Sequence, residues 1–207
     1  MTASILENYF DRSKKFYPYI MQYIITYHGA VELTSRGMVK EVTKLFSIYG
    51  REKVIESLNI NDKASDFIKK DQNLTPLLGN LSLKSNYMKR NIEIDIQGIA
   101  DEVVNNHDII LKYMTKAAGI LIIMCFEETK QLDDRSELWN FFYHCRNAAA
   151  HGGRFRIKNP RFPAIWGDLE INPSLDGTNL FYIPDEGGLL AVGDPIRLLW
   201  EIEQKYL

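Results

Sequence analysis

Apolar residues recur at helical spacing along most of this chain, and this periodicity limits the fold more than any other feature. Residues three and four apart share one face of a helix, so such stripes predict amphipathic helices that bury one side. The longest apolar run is AAGILIIMCF, from Ala117 to Phe126. A membrane-spanning helix needs roughly 20 apolar residues, so this shorter run predicts a buried helix.

The N-terminal part of the chain predicts two helices. The first is expected to begin near Ser4, to be kinked or divided at Pro18, and to end at His28-Gly29. The second is expected over residues 35–49, with Gly50 as its stop signal.

The middle of the chain predicts further helices around one loop. Short helical pieces are expected at residues 52–58 and 62–70, and the Pro-, Gly- and Asn-containing residues 73–86 are expected to form a loop. Residues 94–128 are again helical in pattern, as one long helix or as two helices broken near Asn105-Asn106.

A further helix is expected to begin after Asp134, which can cap its start together with Glu137, and to end at Gly152. The predicted core-facing stripe consists of residues at helical spacing. These are Leu138, Phe142, Cys145 and Ala149.

Prolines and turn residues then replace the helical pattern over residues 154–192, which predicts a small β-hairpin or an irregular β excursion. Asp194-Pro195 is typical of a helix start, so residues 194–207 are expected to form a closing helix. The predicted fold class is mainly α: a helical bundle with a long central helix pair, and a β excursion before a C-terminal helix.

Composition limits the function. A chain of 207 residues with 45% hydrophobic and 25% charged residues is expected to form one domain, residues 1–207. Its net charge of -2 excludes a broad basic face for duplex DNA, so any nucleic-acid site must be local. No signal peptide is recognisable, and Cys125 and Cys145 are expected to be reduced and buried, which predicts a cytoplasmic protein.

The stretch CRNAAAHGG, Cys145 to Gly153, combines polar residues with a run of alanines at a helix end. Asn147 and His151 lie one turn apart, and His144 lies on nearly the same face. Arg146 lies about 140° round the helix from His151, but its length allows both side chains to reach one point beyond the helix end. The alanines permit another helix, or a second copy of this one, to approach closely.

These residue types suit proton transfer beside a phosphate. His151 lies in the last helical turn, where unpaired carbonyls favour its protonated form. A histidine can move a proton on the attacking or leaving oxygen of a phosphodiester, while an arginine binds the non-bridging oxygens. Structural roles remain open: Arg146 could cap a carbonyl or pair with a carboxylate, Asn147 could satisfy a backbone group, and His151 could be a helix-terminal cation.

The segment RNAAAH, Arg146 to His151, resembles the Arg-x4-6-His signature of the HEPN superfamily, in which asparagine commonly follows the arginine. The detailed similarity covers about Glu137 to Gly153. The resemblance implies a helical bundle that dimerises with both motifs facing one cleft. It also implies Arg146 and His151 as a catalytic pair, with Asn147 in support. One toxin branch has a modified tyrosine two residues after the histidine, where this chain has Gly153.

Basic residues follow the motif directly, at Arg154, Arg156, Lys158 and Arg161. Aromatic residues interleave with them, at Phe155, Phe162 and Trp166. Cations that bind phosphates beside rings that stack on bases predict a site for single-stranded or loop RNA, to which His144 would also contribute. The alternation also fits the solvated face of an edge strand.

Three hypotheses follow. The first is a metal-independent endoribonuclease of a microbial toxin–antitoxin or phage-defence system, acting as a homodimer with RNA and a possible antitoxin protein as partners. The second is an inactive HEPN-like domain that binds RNA, a nucleotide or a protein. The third is a helical structural subunit. No cofactor, metal site or membrane association is expected, because the histidines show no metal-ligand spacing and no phosphate-binding loop is present.

Overall fold

A computed structural model of the protein describes residues 12–50, 53, 54, 56, 80–86, 90–158 and 162–207. The predicted fold class is confirmed, since the chain is mainly helical with a small antiparallel hairpin before the C-terminal helix. The chain divides into two compact units, one formed by Met1–His28 with Ile110–Leu207 and the other by Gly29–Ile109. The expectation of one domain over residues 1–207 stays a prediction.

Helix α1 spans Tyr17–Tyr49 without interruption, so the predicted end at His28-Gly29 is wrong. Gly29 lies within the helix with open space around it, and one glycine lowers helix stability without ending the helix. Pro18 lies in the first turn, where its missing N–H has no helical partner to lose, so it marks the start of this helix. The predicted start near Ser4 lies outside the described residues. The predicted stop at Gly50 is confirmed, with φ +82°.

The second unit contains a hairpin that the sequence patterns missed. Strands β1, Asn80–Lys84, and β2, Asn91–Asp95, pair antiparallel within residues that were predicted as a loop and as a helix start. Helix α2, Ile96–Asn105, follows at once, and the Asp95 side chain accepts a hydrogen bond from the Gly98 N–H. Of the short helix expected at residues 52–58, the described residues 53, 54 and 56 are helical, and the piece expected at 62–70 lies outside the described residues.

Of the two alternatives for residues 94–128, one long helix or two helices, the structure has two helices, with the break at Asn106. Helix α3 begins at His107 and runs to Thr129, followed by a short 3-10 turn at Lys130–Leu132. Its buried face includes Ala118, Ile122 and Cys125, as expected for a core helix. The segment Ile109–Leu132 is nevertheless long and apolar enough to cross a membrane by length and composition, a test that core helices also pass.

The rest of the first unit is helix α4, Glu137–Ala150, an irregular region and helix α5, Asp194–Tyr206. The expected β excursion contains the two-residue strands β3, Ile165–Trp166, and β4, Leu169–Glu170, with a 3-10 turn at Pro173–Leu175. Rings from α3, α4 and α5 form one aromatic cluster, in which Phe126 lies 5.2 Å from Phe142 and Trp139 lies 5.2 Å from Tyr206 by ring centroids.

The start of α1 is fixed by the last helix of the chain. Glu203 on α5 is 6% exposed, and its carboxylate accepts hydrogen bonds from the backbone N–H groups of Lys15 and Phe16. Backbone donors at a helix start have no partner within the helix, so a buried carboxylate that accepts from them stabilises the fold.

We expect Glu203→Ala to lower the free energy of unfolding by about 1–3 kcal/mol, because it leaves the buried N–H of Phe16 and the part-buried N–H of Lys15 without this acceptor. Glu203→Gln keeps an oxygen acceptor and should lose less. Urea unfolding of both variants measures the effect, with the exposed Glu170→Ala as the matched control. Equal stabilities for Glu203→Ala and Glu170→Ala would contradict this role.

Candidate functional site

Helix α4 carries the motif and has defined ends. Ser136 caps its start by accepting a hydrogen bond from the Trp139 N–H, so the predicted cap at Asp134 is wrong. Asp134 instead accepts from the Ser136 N–H at 2.9 Å and the Tyr206 hydroxyl at 2.8 Å. The helix ends at Ala150, and Gly152 supplies the predicted left-handed stop, with φ +83°.

The alanine run has an intramolecular partner. Ala148 is buried, Ala149 is half-buried and Ala150 is exposed. A Cβ atom added to Gly119 on α3 would lie 3.3 Å from the Ala149 Cβ, so α3 and α4 approach closely at this point. The small side chains expected to permit the approach of another helix therefore permit that of α3.

The buried stripe of α4 differs slightly from the predicted one. Leu138 and Ala149 are half-buried. The buried residues are Trp139, Phe141, Phe142, Cys145 and Ala148. The face is thus wider than the predicted stripe, because α4 packs against α3, α5 and the irregular region.

Arg146 is held on three sides. Its Nη2 donates to Glu127 Oε1 on α3 at 2.5 Å, and its Nη1 donates to Asn147 Oδ1 at 3.2 Å. Its Cζ lies 5.7 Å from the centroid of the Phe126 ring, within the range of a cation–π contact. Its Nε is buried without a hydrogen-bond partner. Of the structural roles left open for Arg146, pairing with a carboxylate is therefore observed. The guanidinium is held in place and partly exposed.

The carboxylate beside Arg146 is charged. Hydrogen bonds from Lys130 and from Arg146 lower the pKa of Glu127, against a smaller opposing effect of burial. The ion pair therefore persists throughout the neutral pH range, because a lowered pKa keeps the carboxylate ionised down to acid pH.

His151 lies at the end of α4. Its side chain is exposed, and its backbone N–H donates to the carbonyls of Asn147 and Ala148. The Gly153 N–H donates to the Ala148 carbonyl at 2.8 Å and closes the helix end. An exposed imidazole at this place is accessible to a large substrate.

A groove of about 590 Å³ lies along α4. The predicted site residues Asn147, His144, Arg156 and Lys158 line it, whereas Arg146 and His151 are outside its lining. Its other walls come from the start of α4 and the chain that follows the motif. These residues are Asp133, Arg135, Trp139, Asn140, Tyr143, Ile157 and Phe162.

The basic segment has the predicted alternation. Arg154, Arg156 and Lys158 are exposed, whereas Phe155 and Ile157 are 1% and 5% exposed. Arg154 contacts other residues of the protein: its guanidinium donates to the Gly177 carbonyl and pairs with Glu186 at 2.8 Å. Arg161 lies outside the described residues.

Of the aromatic residues expected to stack on bases, only Phe162 has an available ring. Phe162 is 42% exposed and Phe155 is in the core. Trp166 packs on Phe141 at 5.6 Å, and its indole N–H donates to Glu201 on α5. These two rings therefore belong to the fold.

His144 lies half-buried in the groove wall, where burial lowers the pKa of its imidazole. A ring with a lowered pKa is mostly neutral at pH 7, since its ordinary value is about 6.5. His144 can thus accept or donate a single hydrogen bond there without adding charge.

Several residues of this site were missed by the sequence patterns. Glu127 and Phe126 approach Arg146 only through helix packing, so nothing in the local pattern around the motif indicates them. Arg135 and Asp133 lie in the turn before α4, and Tyr143 follows the first turns of that helix. The described residues include no group of three or more His, Cys, Asp or Glu side chains that could hold a metal ion.

Comparisons with protein-family models, with curated proteins and with solved structures returned no match.

We expect Ala149→Leu to destabilise the protein by about 1–3 kcal/mol, because extra volume would push α3 away at Gly119. The exposed Ala150→Leu is the matched control and should change stability by less than about 0.5 kcal/mol. Urea unfolding compares the two variants, and equal losses would show that the run does not serve α3 packing.

Proposed function

We propose that this protein is a HEPN-type, metal-independent endoribonuclease of a microbial toxin–antitoxin or phage-defence system. The observation that carries the proposal is the position of Asn147. It lines the groove with Arg156 and Lys158, and its Oδ1 accepts a hydrogen bond from Arg146. A chain of RNA that follows the groove would therefore reach the motif arginine.

The chemistry assigned to the site is attack by a ribose 2′-hydroxyl on the adjoining phosphate. The 2′ oxygen forms a bond to phosphorus, the bond to the 5′ oxygen breaks, and a 2′,3′-cyclic phosphate and a 5′-hydroxyl result. The 2′-hydroxyl loses its proton and the leaving 5′ oxygen gains one. His151 accepts the first proton as a base or supplies the second as an acid, and water exchanges the other. Arg146 stabilises the charge on the non-bridging oxygens. Glu127 and Phe126 hold the guanidinium in place, which lowers the cost of ordering it.

The proposal includes a homodimer in which two motifs share a cleft, single-stranded or loop RNA as substrate, a possible antitoxin protein as partner, and a cytoplasmic location without membrane association. Arg154, Arg156, Lys158, Arg161 and His144 are assigned to RNA binding. Arg156, Lys158 and His144 share the groove, whereas Arg154 has protein partners.

A binding domain without cleavage is the second candidate. The observation that favours it is the 2.5 Å ion pair between Arg146 and Glu127. In this candidate the ion pair stabilises α3 against α4, and the groove binds RNA, a nucleotide or a protein partner.

For the endoribonuclease, we expect cleavage of a mixed single-stranded RNA pool in excess EDTA, with 2′,3′-cyclic phosphate and 5′-hydroxyl ends. His151→Ala should lose about 10²–10⁴-fold, because it removes a general acid or base. Arg146→Ala should lose a comparable amount, and Arg146→Lys should recover only part because lysine lacks the bidentate fork. Asn147→Ala should lose less. End-group analysis of the products identifies the mechanism.

The exposed His28→Ala is the matched control and should cleave like the wild type. Cleavage that stops in EDTA, or products with 3′-hydroxyl ends, would contradict the proposed mechanism. Absence of cleavage by the wild type across the pool would favour the binding domain.

For the dimer, we expect light scattering at tens of micromolar to give twice the chain mass. A short bismaleimide should link two chains through Ala150→Cys, next to His151, but not through the exposed Lys112→Cys. The native thiols of Cys125 and Cys145 are buried, and burial raises their pKa, so they should not react. A monomer, or linkage only at position 112, would contradict the shared cleft.

A further inference from the structure

We propose that the groove along α4 binds one unpaired nucleotide of the RNA, next to the phosphate that Arg146 holds, with its base on the Phe162 ring. This inference rests on the proposed function and adds a subsite to it: one nucleotide must leave its stack so that the face of its base can contact the Phe162 ring. The reasons are the charge, the rings, the amides and the size of the groove.

The groove is locally positive in a chain whose net charge is -2. Arg135, Arg156 and Lys158 line it, against one carboxylate, Asp133. Arg156 and Lys158 are both exposed, on either side of Ile157, which is 5% exposed. Both cations are therefore available to the phosphates that flank one nucleotide.

Two rings are available for a base. Phe162 is 42% exposed and Tyr143 is 45% exposed, and both line the groove. The Arg135 guanidinium lies over one face of the Phe162 ring, 5.7 Å from its centroid, so a base would stack on the other face. A phenylalanine ring contacts the face of a base, and base faces are accessible only when the nucleotide leaves its stack.

Two amides are available to the edge of the base. Asn140 donates both amide hydrogens to the protein, to the carbonyls of Arg135 and Pro163, which leaves its oxygen as an acceptor. Asn147 accepts from Arg146 with its oxygen, which leaves its amide group as a donor. Base edges carry donors and acceptors together, so this pair is chemically matched to a nucleobase.

The volume fits the same ligand. A space of about 590 Å³ lies within the range of about 300–1,000 Å³ that is usual for sites that bury a small molecule. It admits a nucleoside with its phosphate. A paired duplex would present stacked edges to Phe162 and would leave the ring without a partner.

The test is fluorescence anisotropy with a 5′-fluorescein adenosine hexanucleotide RNA, measured in a His151→Ala background so that the probe stays intact. Phe162→Ala should weaken binding about 5- to 100-fold, the range expected for the loss of one stacked base, and Phe162→Tyr should restore most of it. The exposed Tyr182→Ala is the matched control and should bind like the parent protein.

The phosphate contacts have their own measurement. Removing Arg156 and Lys158 together, as Arg156→Ala and Lys158→Ala, should reduce the slope of log affinity against log salt by about 1.4, at about 0.7 for each phosphate contact on a single strand. Lys112→Ala with Lys116→Ala removes the same charge from exposed positions on α3 and should leave the slope unchanged. A self-complementary duplex RNA should bind at least tenfold more weakly than the hexanucleotide.

The inference is overturned if Phe162→Ala binds the hexanucleotide like the parent, if the salt slope is unchanged in the double variant, or if the duplex binds as tightly as the single strand. These results are independent of cleavage. Weakened binding by Phe162→Ala in a protein that cleaves no RNA would overturn the nuclease and keep the nucleotide site. Cleavage by a protein that tolerates Phe162→Ala would keep the nuclease and overturn the site.

Discussion

The packing of α3 against α4 is the constraint on which the rest of this site depends. Gly119 and Ala149 allow the two helices to approach closely, and Phe126 places a large ring beside Phe142. In this arrangement Glu127 on α3 pairs with Arg146 on α4. Ala148 and Ala149 in the motif therefore serve the fold, and through the fold they help to set the position of the guanidinium.

Asn147 joins this helix pair to the groove. It follows Arg146 in the chain, accepts its hydrogen bond, and lies among the residues that line the groove. The segment after Gly153 completes the site because its inward residues, Phe155 and Ile157, are anchored in the core. Anchoring these two residues leaves Arg156 and Lys158 exposed at the groove. The packing of α3 on α4 thus positions the motif, and the buried Phe155 and Ile157 position the groove wall. The hydrogen bond from Arg146 to Asn147 connects the two.

Much of the fold was predictable from local sequence patterns. The break at Asn106, the stop at Gly152 and the alternation of residues 154–158 were predictable, because each depends on neighbours within a few residues. The hairpin β1–β2 was not, since Pro76 and Gly79 indicate a loop while short strands gain their stability from a partner strand. The sequence pattern fitted Asp134 as the capping residue of α4, but Ser136 caps the helix. Asp134 instead accepts a hydrogen bond from Tyr206 on α5, a contact that the local sequence does not indicate.

The candidate site was predictable in part for the same reason. Arg146, Asn147 and His151 stand out in sequence because they share one helix end. Glu127, Arg135 and Phe162 do not, since only tertiary packing brings them to α4. The roles of Arg154 and Trp166 depend on Glu186 and Glu201, which are distant in the chain.

The most direct test of this account is a crystal structure with a single-stranded RNA whose 2′-hydroxyls are all O-methylated, so that they cannot attack the phosphate. The account predicts a phosphate within hydrogen-bond distance of the Arg146 guanidinium, His151 beside the sugar or the 5′ oxygen, and an unstacked base on Phe162. The account would be contradicted by electron density for the RNA along another surface, with Arg146 bound only to Glu127, Asn147 and Phe126.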